Sequence, residues 1–120
     1  MKLPGLTACE QARNKVAAKY DEAFAGHPTL QIPLRVKNST HVFHQYTLKC
    51  NGIDRNALRT FLAGKKIPSM VYYPIPLHQQ KAYRNSRIIE SGLPVTEQLC
   101  ACVISLPMSP ELTEEQSDYI

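Results

Sequence analysis

A proline-rich run, residues 71–83, places the tightest local restriction on how this chain can fold. Pro74 and Pro76 fix φ at their own positions and push the residue before each of them toward an extended conformation. The run therefore cannot be the interior of a helix or a central strand. It also carries tyrosine, histidine and glutamine side chains, and stiff polar loops of this kind often bind ligands. The pattern predicts a ligand-binding loop or, with equal weight, a crossover whose tyrosines only cover the core.

The hydrophobic pattern around this run predicts one α+β domain over residues 1–120. A chain of 120 residues with 43% apolar residues can build one core but not two. Stretches with helical spacing alternate with strand-like stretches, and the latter are too few and too polar for a large parallel sheet. We expect a small, mainly antiparallel sheet packed with helices.

Start and stop signals delimit the predicted elements. The first helix is expected to begin at a Thr7–Glu10 capping box and to stop at Gly26, and the last begins at a second capping box, Thr113–Gln116. Between them the sequence first predicts a strand over His41–Cys50, with Val42 and His44 on the same side as Tyr46. A second helix is expected to be capped by Asp54 and ended by Gly64, and its inner face comprises Ala57, Leu58, Phe61 and Leu62. There follow a short strand over Met70–Tyr73, irregular chain over residues 84–91, a helix from Pro94 and an extended segment over Ser105–Met108.

Composition argues against several classes of function. The net charge of +4 is scattered, so we expect no nucleic-acid partner. No stretch approaches the ~20 apolar residues that span a bilayer, and the N-terminus lacks the apolar core of a secretory signal. The four cysteines include no C-x-x-C pair, which predicts free thiols, no metal site and a cytoplasmic location.

No complete catalytic set can be assembled from the residues alone. Nucleophile elbows, glycine-rich phosphate loops and paired carboxylates for acid–base work are missing from the sequence. Asp21 and Glu22 are predicted on a helix face. His41 and His44 would point to opposite faces of a strand. We therefore expect no catalytic residue in this chain.

Motifs in several segments occur in one order along the chain. They are Ala18–Phe24, Val42–Leu48, Asp54–Leu58, the Tyr-Pro-x-Pro-Leu-His-x-Gln motif within residues 71–83, Leu93–Glu97, Leu106–Met108 and Leu112–Gln116. Together they resemble the DegT/StrS-type sugar-nucleotide aminotransferases, which are pyridoxal-phosphate enzymes with the aspartate-aminotransferase fold. The resemblance extends over nearly the whole chain.

This resemblance implies that the chain is the C-terminal small domain of a longer enzyme. Family members are much longer, and their large domain carries the lysine that forms a Schiff base with pyridoxal 5'-phosphate, the phosphate cradle and the carboxylate that pairs with the pyridine nitrogen. None of those motifs is found here, and the last helix looks cut short. We expect the chain alone to bind no cofactor and to be inactive, whereas the longer protein would be a homodimeric transaminase.

The resemblance also implies which residues meet the substrate. These are Tyr72, Tyr73, His78 and Gln80, with Gln45 as a further candidate. The Tyr-Tyr-Pro sequence is similar to members that aminate C3 of a UDP-3-keto sugar, including uronic acids for lipopolysaccharide, with an L-glutamate-like amino donor. The alternative is a standalone module that binds a nucleotide or carbohydrate without catalysis.

Overall fold

The protein is described from a computed structural model, and the structure describes residues 3–83 and 92–120. The regular elements are four helices, α1 (Leu6–Phe24), α2 (Arg55–Gly64), α3 (Pro94–Cys102) and α4 (Glu114–Tyr119), and three strands, β1 (Leu30–Gln31), β2 (Tyr46–Cys50) and β3 (Val103–Leu106). Short 3-10 turns lie at Leu3–Gly5, Leu77–Gln79 and Lys81–Tyr83. The helices of the described ranges are too short or too polar to cross a membrane.

The strands form one antiparallel sheet in the order β1-β2-β3. Tyr46 is opposite Leu106, and Leu30 is opposite Cys50 on the other side of β2. The predicted α+β class, with a small antiparallel sheet packed with helices, is confirmed. The core lies between this sheet and the helices, and its largest fully buried side chains are Tyr20, Phe43, Tyr46, Leu48 and Ile104.

Local signals located most helix ends correctly. The Asp54 carboxylate accepts hydrogen bonds from the backbone N–H groups of Asn56 and Ala57, and α2 ends at Gly64 as predicted. Both reciprocal bonds of the predicted capping box at Thr113 are present. The capping box at Thr7 is wrong, because the turn Leu3–Gly5 runs directly into α1 and Thr7 lies inside the helix.

The predicted strand over His41–Cys50 is wrong in its first half. Phe43 has a left-handed φ of 44°, which interrupts the alternation, and β2 begins only at Tyr46. Phe43 is consequently buried, while Val42 and His44 are exposed rather than sharing the side of Tyr46.

Two further predictions about packing and pairing are wrong, and one cannot be placed. Leu62 packs into the core from α2 as predicted, but Phe61 is 61% exposed and lies off the inner face of that helix. Met70–Tyr73 is not a strand. Only Met70 pairs, in a single antiparallel bridge with Ser105, before the chain leaves the sheet toward Pro74. The predicted irregular segment 84–91 lies outside the described residues.

Candidate functional site

The proline-rich run leaves the sheet as a strap. Met70 donates its N–H to the Ser105 carbonyl at 3.0 Å and accepts from the Ser105 N–H at 2.7 Å. After this bridge, residues 71–77 cross the surface until the 3-10 turn Leu77–Gln79. No backbone hydrogen bond within the described ranges involves residues 71–75. We call residues 71–77 the tyrosine strap.

Tyr72 and Tyr73 project from the tyrosine strap and remain accessible. Their side chains are 40% and 70% exposed, and their rings meet edge to face with centroids 6.0 Å apart. The peptide between them is cis. Neither hydroxyl has a hydrogen-bond partner among residues 3–83 and 92–120. Two flat rings with available hydroxyl groups can stack on an apolar face and hydrogen-bond to a polar rim, as a sugar or a base requires.

Gln45 lies beside the tyrosine strap, although it is distant in sequence. It lines a shallow groove of about 190 Å³ together with Tyr72. The other lining residues are His44, Pro68, Met70, Ser105, Leu106, Pro107 and Met108. The structure therefore brings Gln45 and Tyr72 together in this groove, whereas Tyr73 does not line it and adjoins it through its ring contact with Tyr72.

His78 is held differently, at the far end of the strap. Its Nε2 lies 2.9 Å from Oε1 of Glu97 on α3, and its side chain is only 11% exposed. The same carboxylate oxygen accepts the Leu93 N–H at 3.2 Å. These bonds, that of His78 first and that of Leu93 next, with a smaller one from Gln79, hold the pKa of Glu97 below its usual range.

Gln80 follows the turn that carries His78. Its backbone N–H donates to the Leu77 carbonyl at 3.1 Å. Neither Gln80 nor His78 lines the groove beside Tyr72. Of the predicted substrate residues, Gln45 and Tyr72 thus line the groove, Tyr73 lies next to Tyr72, and His78 and Gln80 lie at the turn.

The groove does not fit pyridoxal phosphate. That cofactor requires an amine for its aldehyde and N–H donors or cations for its phosphate. The residues that line the groove include no lysine and no arginine. In the part of the chain that the structure describes, no group of three His, Cys, Asp or Glu side chains could hold a metal ion.

A polar cluster at the edge of the core, with Arg35 exposed and Asp21 half-buried, escaped the sequence-based prediction. Asp21 accepts hydrogen bonds from the Tyr46 hydroxyl at 2.7 Å and from Arg35 Nε at 2.9 Å, and Arg35 also pairs with it through a second nitrogen. The Arg35 guanidinium lies 4.2 Å from the centroid of the Phe43 ring. Burial, and then the bond to Asp21, raises the pKa of Tyr46. These residues are far apart in sequence, so no local motif indicated the cluster.

A sequence model described as the DegT/DnrJ/EryC1/StrS aminotransferase family matches residues 1–120. The chain is 42% identical over 113 residues to a UDP-N-acetyl-3-dehydro-alpha-D-glucosamine 3-aminotransferase of Acidithiobacillus ferrooxidans, a match that covers 94% of this chain and 29% of the relative. It is 33% identical over 117 residues to a UDP-2-acetamido-2-deoxy-3-oxo-D-glucuronate aminotransferase of Pseudomonas aeruginosa, with 92% and 30% covered. The chain therefore spans about 30% of the length of these curated relatives.

Solved structures of aminotransferases contain a region with the same fold as this chain. The chain superposes on S. venezuelae DesV, solved in complex with a ketimine intermediate, with a TM-score of 0.89 at 30% identity, over 97% of this chain and 31% of that one. A DegT DnrJ EryC1 StrS aminotransferase from Brucella abortus gives a TM-score of 0.86 at 34% identity, over 98% and 30%.

Proposed function

Because the chain belongs to the DegT/DnrJ/EryC1/StrS aminotransferase family, we propose that it is the C-terminal small domain of a longer sugar aminotransferase. The observation that carries this proposal is the pair Tyr72 and Tyr73, exposed beside Gln45 on a strap with both ends bonded to the fold. These side chains form one wall of a site for a keto sugar nucleotide.

The proposed substrate is a UDP-linked 3-keto sugar, either an N-acetylhexosamine or the matching uronic acid. The printed names of the Acidithiobacillus and Pseudomonas relatives support this choice. The amino group would come from an L-glutamate-like donor. The product would enter lipopolysaccharide or a related polysaccharide, and the protein would work in the cytoplasm as a homodimer.

Pyridoxal phosphate would be the cofactor of the longer protein, where it stabilises the carbanion formed during transamination. This chain's residues orient the sugar and exclude water from it. The tyrosine rings stack on the sugar nucleotide, and the Gln45 amide donates to or accepts from its hydroxyl groups.

The test compares Tyr73→Ala with Tyr119→Ala in the full-length gene product. Tyr119 is a matched control because it is 64% exposed, close to the 70% of Tyr73, but lies on α4. We expect Tyr73→Ala to raise KM for UDP-N-acetyl-3-dehydroglucosamine about tenfold, as for a lost base- or sugar-stacking contact, and Tyr119→Ala to leave it unchanged. Equal effects of the two substitutions, or no transamination by the wild-type enzyme, would contradict the proposal.

A standalone binding module is the second candidate, because Tyr72 and Tyr73 are accessible in this chain by itself. If the chain is such a module, the 120 residues alone should bind UDP-N-acetylglucosamine with measurable affinity, and Tyr73→Ala should abolish this binding. Calorimetric titration up to millimolar ligand decides between the two, since the aminotransferase fragment needs the rest of the enzyme to complete its site.

A further inference from the structure

We propose that Glu97 is a positioning residue for the tyrosine strap, and that it acts through His78. The inference rests on the proposed function, since it concerns how the wall formed by Tyr72 and Tyr73 is kept in place for the sugar nucleotide. It also assigns His78 the role of an anchor rather than of a substrate contact.

The strap has two attachments of different kinds. At its start, Met70 is bonded to Ser105 through both backbone groups. At its end, the His78 imidazole is bonded to Glu97 on α3. Residues 71–75 make no backbone hydrogen bond within the described ranges. The position of the tyrosines is therefore set by the two ends, by the packing of the buried Pro76 and by the stiffness between them.

Two prolines supply that stiffness. Pro74 and Pro76 have fixed φ, so a displacement of the turn at Leu77–Gln79 is carried back along the chain instead of being absorbed. Pro76 is itself buried. Tyr73 precedes Pro74 directly and is the most exposed ring on the strap at 70%, so it would move with any shift of His78.

Glu97 is suited to this task by its position and charge. One carboxylate oxygen accepts from both His78 and Leu93. Gly92 lies against it, because a Cβ at that position would come within 3.3 Å of the same oxygen. A carboxylate that binds a mostly buried imidazole forms a stronger hydrogen bond than a neutral acceptor does. Glu97 thereby joins the end of the strap to the start of α3.

A simpler role for Glu97 is that of a helix cap, since its carboxylate holds the Leu93 N–H at the start of α3. The two roles predict different effects on Tyr72 and Tyr73 when His78 or Glu97 is replaced. His78→Ala leaves the bond between Leu93 and Glu97 intact but removes the main attachment of the strap, so that only the smaller bond from Gln79 joins this turn to Glu97. A cap-only Glu97 would leave Tyr72 and Tyr73 unaffected when Glu97 is changed.

The first experiment measures backbone amide shifts and heteronuclear NOE values in the 120-residue chain. We expect Glu97→Gln and His78→Ala to shift the Tyr72 and Tyr73 amides in the same direction and to lower their NOE values. The double variant should add nothing, because both substitutions break one link. His78→Gln should restore part of the wild-type pattern, since its amide can donate to the carboxylate.

The control is Glu111→Gln, which removes the charge of an exposed carboxylate that bonds to no other side chain in the described ranges. It should leave both tyrosine amides unchanged. If Glu97→Gln also leaves them unchanged, or if its effect adds in full to that of His78→Ala, the positioning role is wrong.

The second experiment measures steady-state kinetics of the full-length enzyme. Glu97→Gln and His78→Ala should each raise KM for the keto sugar nucleotide about tenfold, with a smaller change in kcat, since a displaced wall weakens binding and orientation. A lower kcat with unchanged KM would overturn the inference. If the amides shift but the wild-type enzyme does not transaminate keto sugar nucleotides, the anchoring stands and the proposed function fails.

Discussion

This molecule contains two pairs of tyrosines whose rings are in contact, Tyr20 with Tyr46 and Tyr72 with Tyr73. The first pair is buried and the second is exposed. Tyr20 and Tyr46 are 2% and 0% exposed, with ring centroids 5.0 Å apart. Their hydroxyls donate to the Pro107 carbonyl at 2.9 Å and to Asp21 at 2.7 Å. Tyr72 and Tyr73 are 40% and 70% exposed, and their hydroxyls have no partner in the described ranges. In this molecule the pair whose hydroxyls are bonded within the fold is buried, and the pair whose hydroxyls have no partner in the described ranges is accessible.

The difference originates in the elements that carry each pair. Tyr20 lies on α1 and Tyr46 on β2, so two regular elements pack their rings between them. Residues 71–75 of the tyrosine strap make no backbone hydrogen bond within the described ranges, and both of its tyrosine rings lie at the surface. The first pair should therefore matter for stability, and the second for ligand binding.

The largest expected effect is on the free energy of unfolding. Tyr46→Ala should lower it by about 3–5 kcal/mol, because a fully buried aromatic ring is lost and a cavity remains. Tyr73→Ala should change it by less than about 0.5 kcal/mol, because the ring is on the surface. Chemical denaturation of both variants checks this contrast, and comparable losses would remove the distinction between the pairs.

Removing only the hydroxyl groups gives a smaller and more specific effect. Tyr46→Phe should lower the free energy of unfolding by about 1–2 kcal/mol, because Asp21 loses a buried donor. Tyr72→Phe should leave it unchanged, since that hydroxyl has no partner among the described residues. Denaturation midpoints at equal slope are the measurement, and a loss in Tyr72→Phe would mean that its hydroxyl is bonded after all.

Alkaline pH tests the buried pair alone. Burial raises the pKa of Tyr20 to about 12, above the value of about 10 expected in the unfolded chain. The stabilisation from Tyr20 is therefore complete below about pH 10 and is lost as the pH rises toward 12, about 1 kcal/mol of it by pH 11. Tyr20→Phe should lose less stability between pH 9 and about pH 11 than the wild type does; equal slopes would contradict the assignment.

The smallest effect concerns the anchor of the strap at acid pH. The folded-state pKa of Glu97 is lowered, first by His78 and then by the Leu93 N–H. Its stabilisation is therefore present above the unfolded value of about 4.3 and is lost as the pH falls through the lower folded value. Because Glu97 is 39% exposed, the contribution is small. Glu97→Gln should flatten the acid limb of the stability profile, and an unchanged limb would exclude this contribution.

Most of the sequence signals that act over a few residues predict the local structure correctly. Asp54 and Thr113 cap their helices as predicted, because a cap depends only on the residues of one turn. The proline-rich run contains no α-helix and no strand of the sheet, as its prolines predict, although it includes two 3-10 turns. Thr7 was misread because a competing turn just before it starts the helix earlier.

Features that depend on distant contacts were not accessible from the sequence. The left-handed Phe43 is accompanied by packing against His41 and Arg35, which no local propensity indicates. Gln45 and Tyr72 were each named as candidates through the family resemblance, but only the fold brings them to one groove. Likewise, residues 71–83 could be singled out by their prolines, whereas the attachment of His78 to Glu97 required the structure.

The pairing of β2 with β3 also affects how fast this chain folds and what it exposes during its synthesis. Lys49 pairs with Val103, and Tyr46 pairs with Leu106, so each contact joins residues more than fifty positions apart. Closing so long a loop slows folding, because its entropy is lost before the sheet contacts form. During synthesis on the ribosome, Tyr46–Cys50 cannot complete its pairing with β3 until Leu106 has emerged. Until then the edge of β2 that faces β3 lacks the partner that covers it in the folded sheet, and an unpaired strand edge is prone to pairing with other chains.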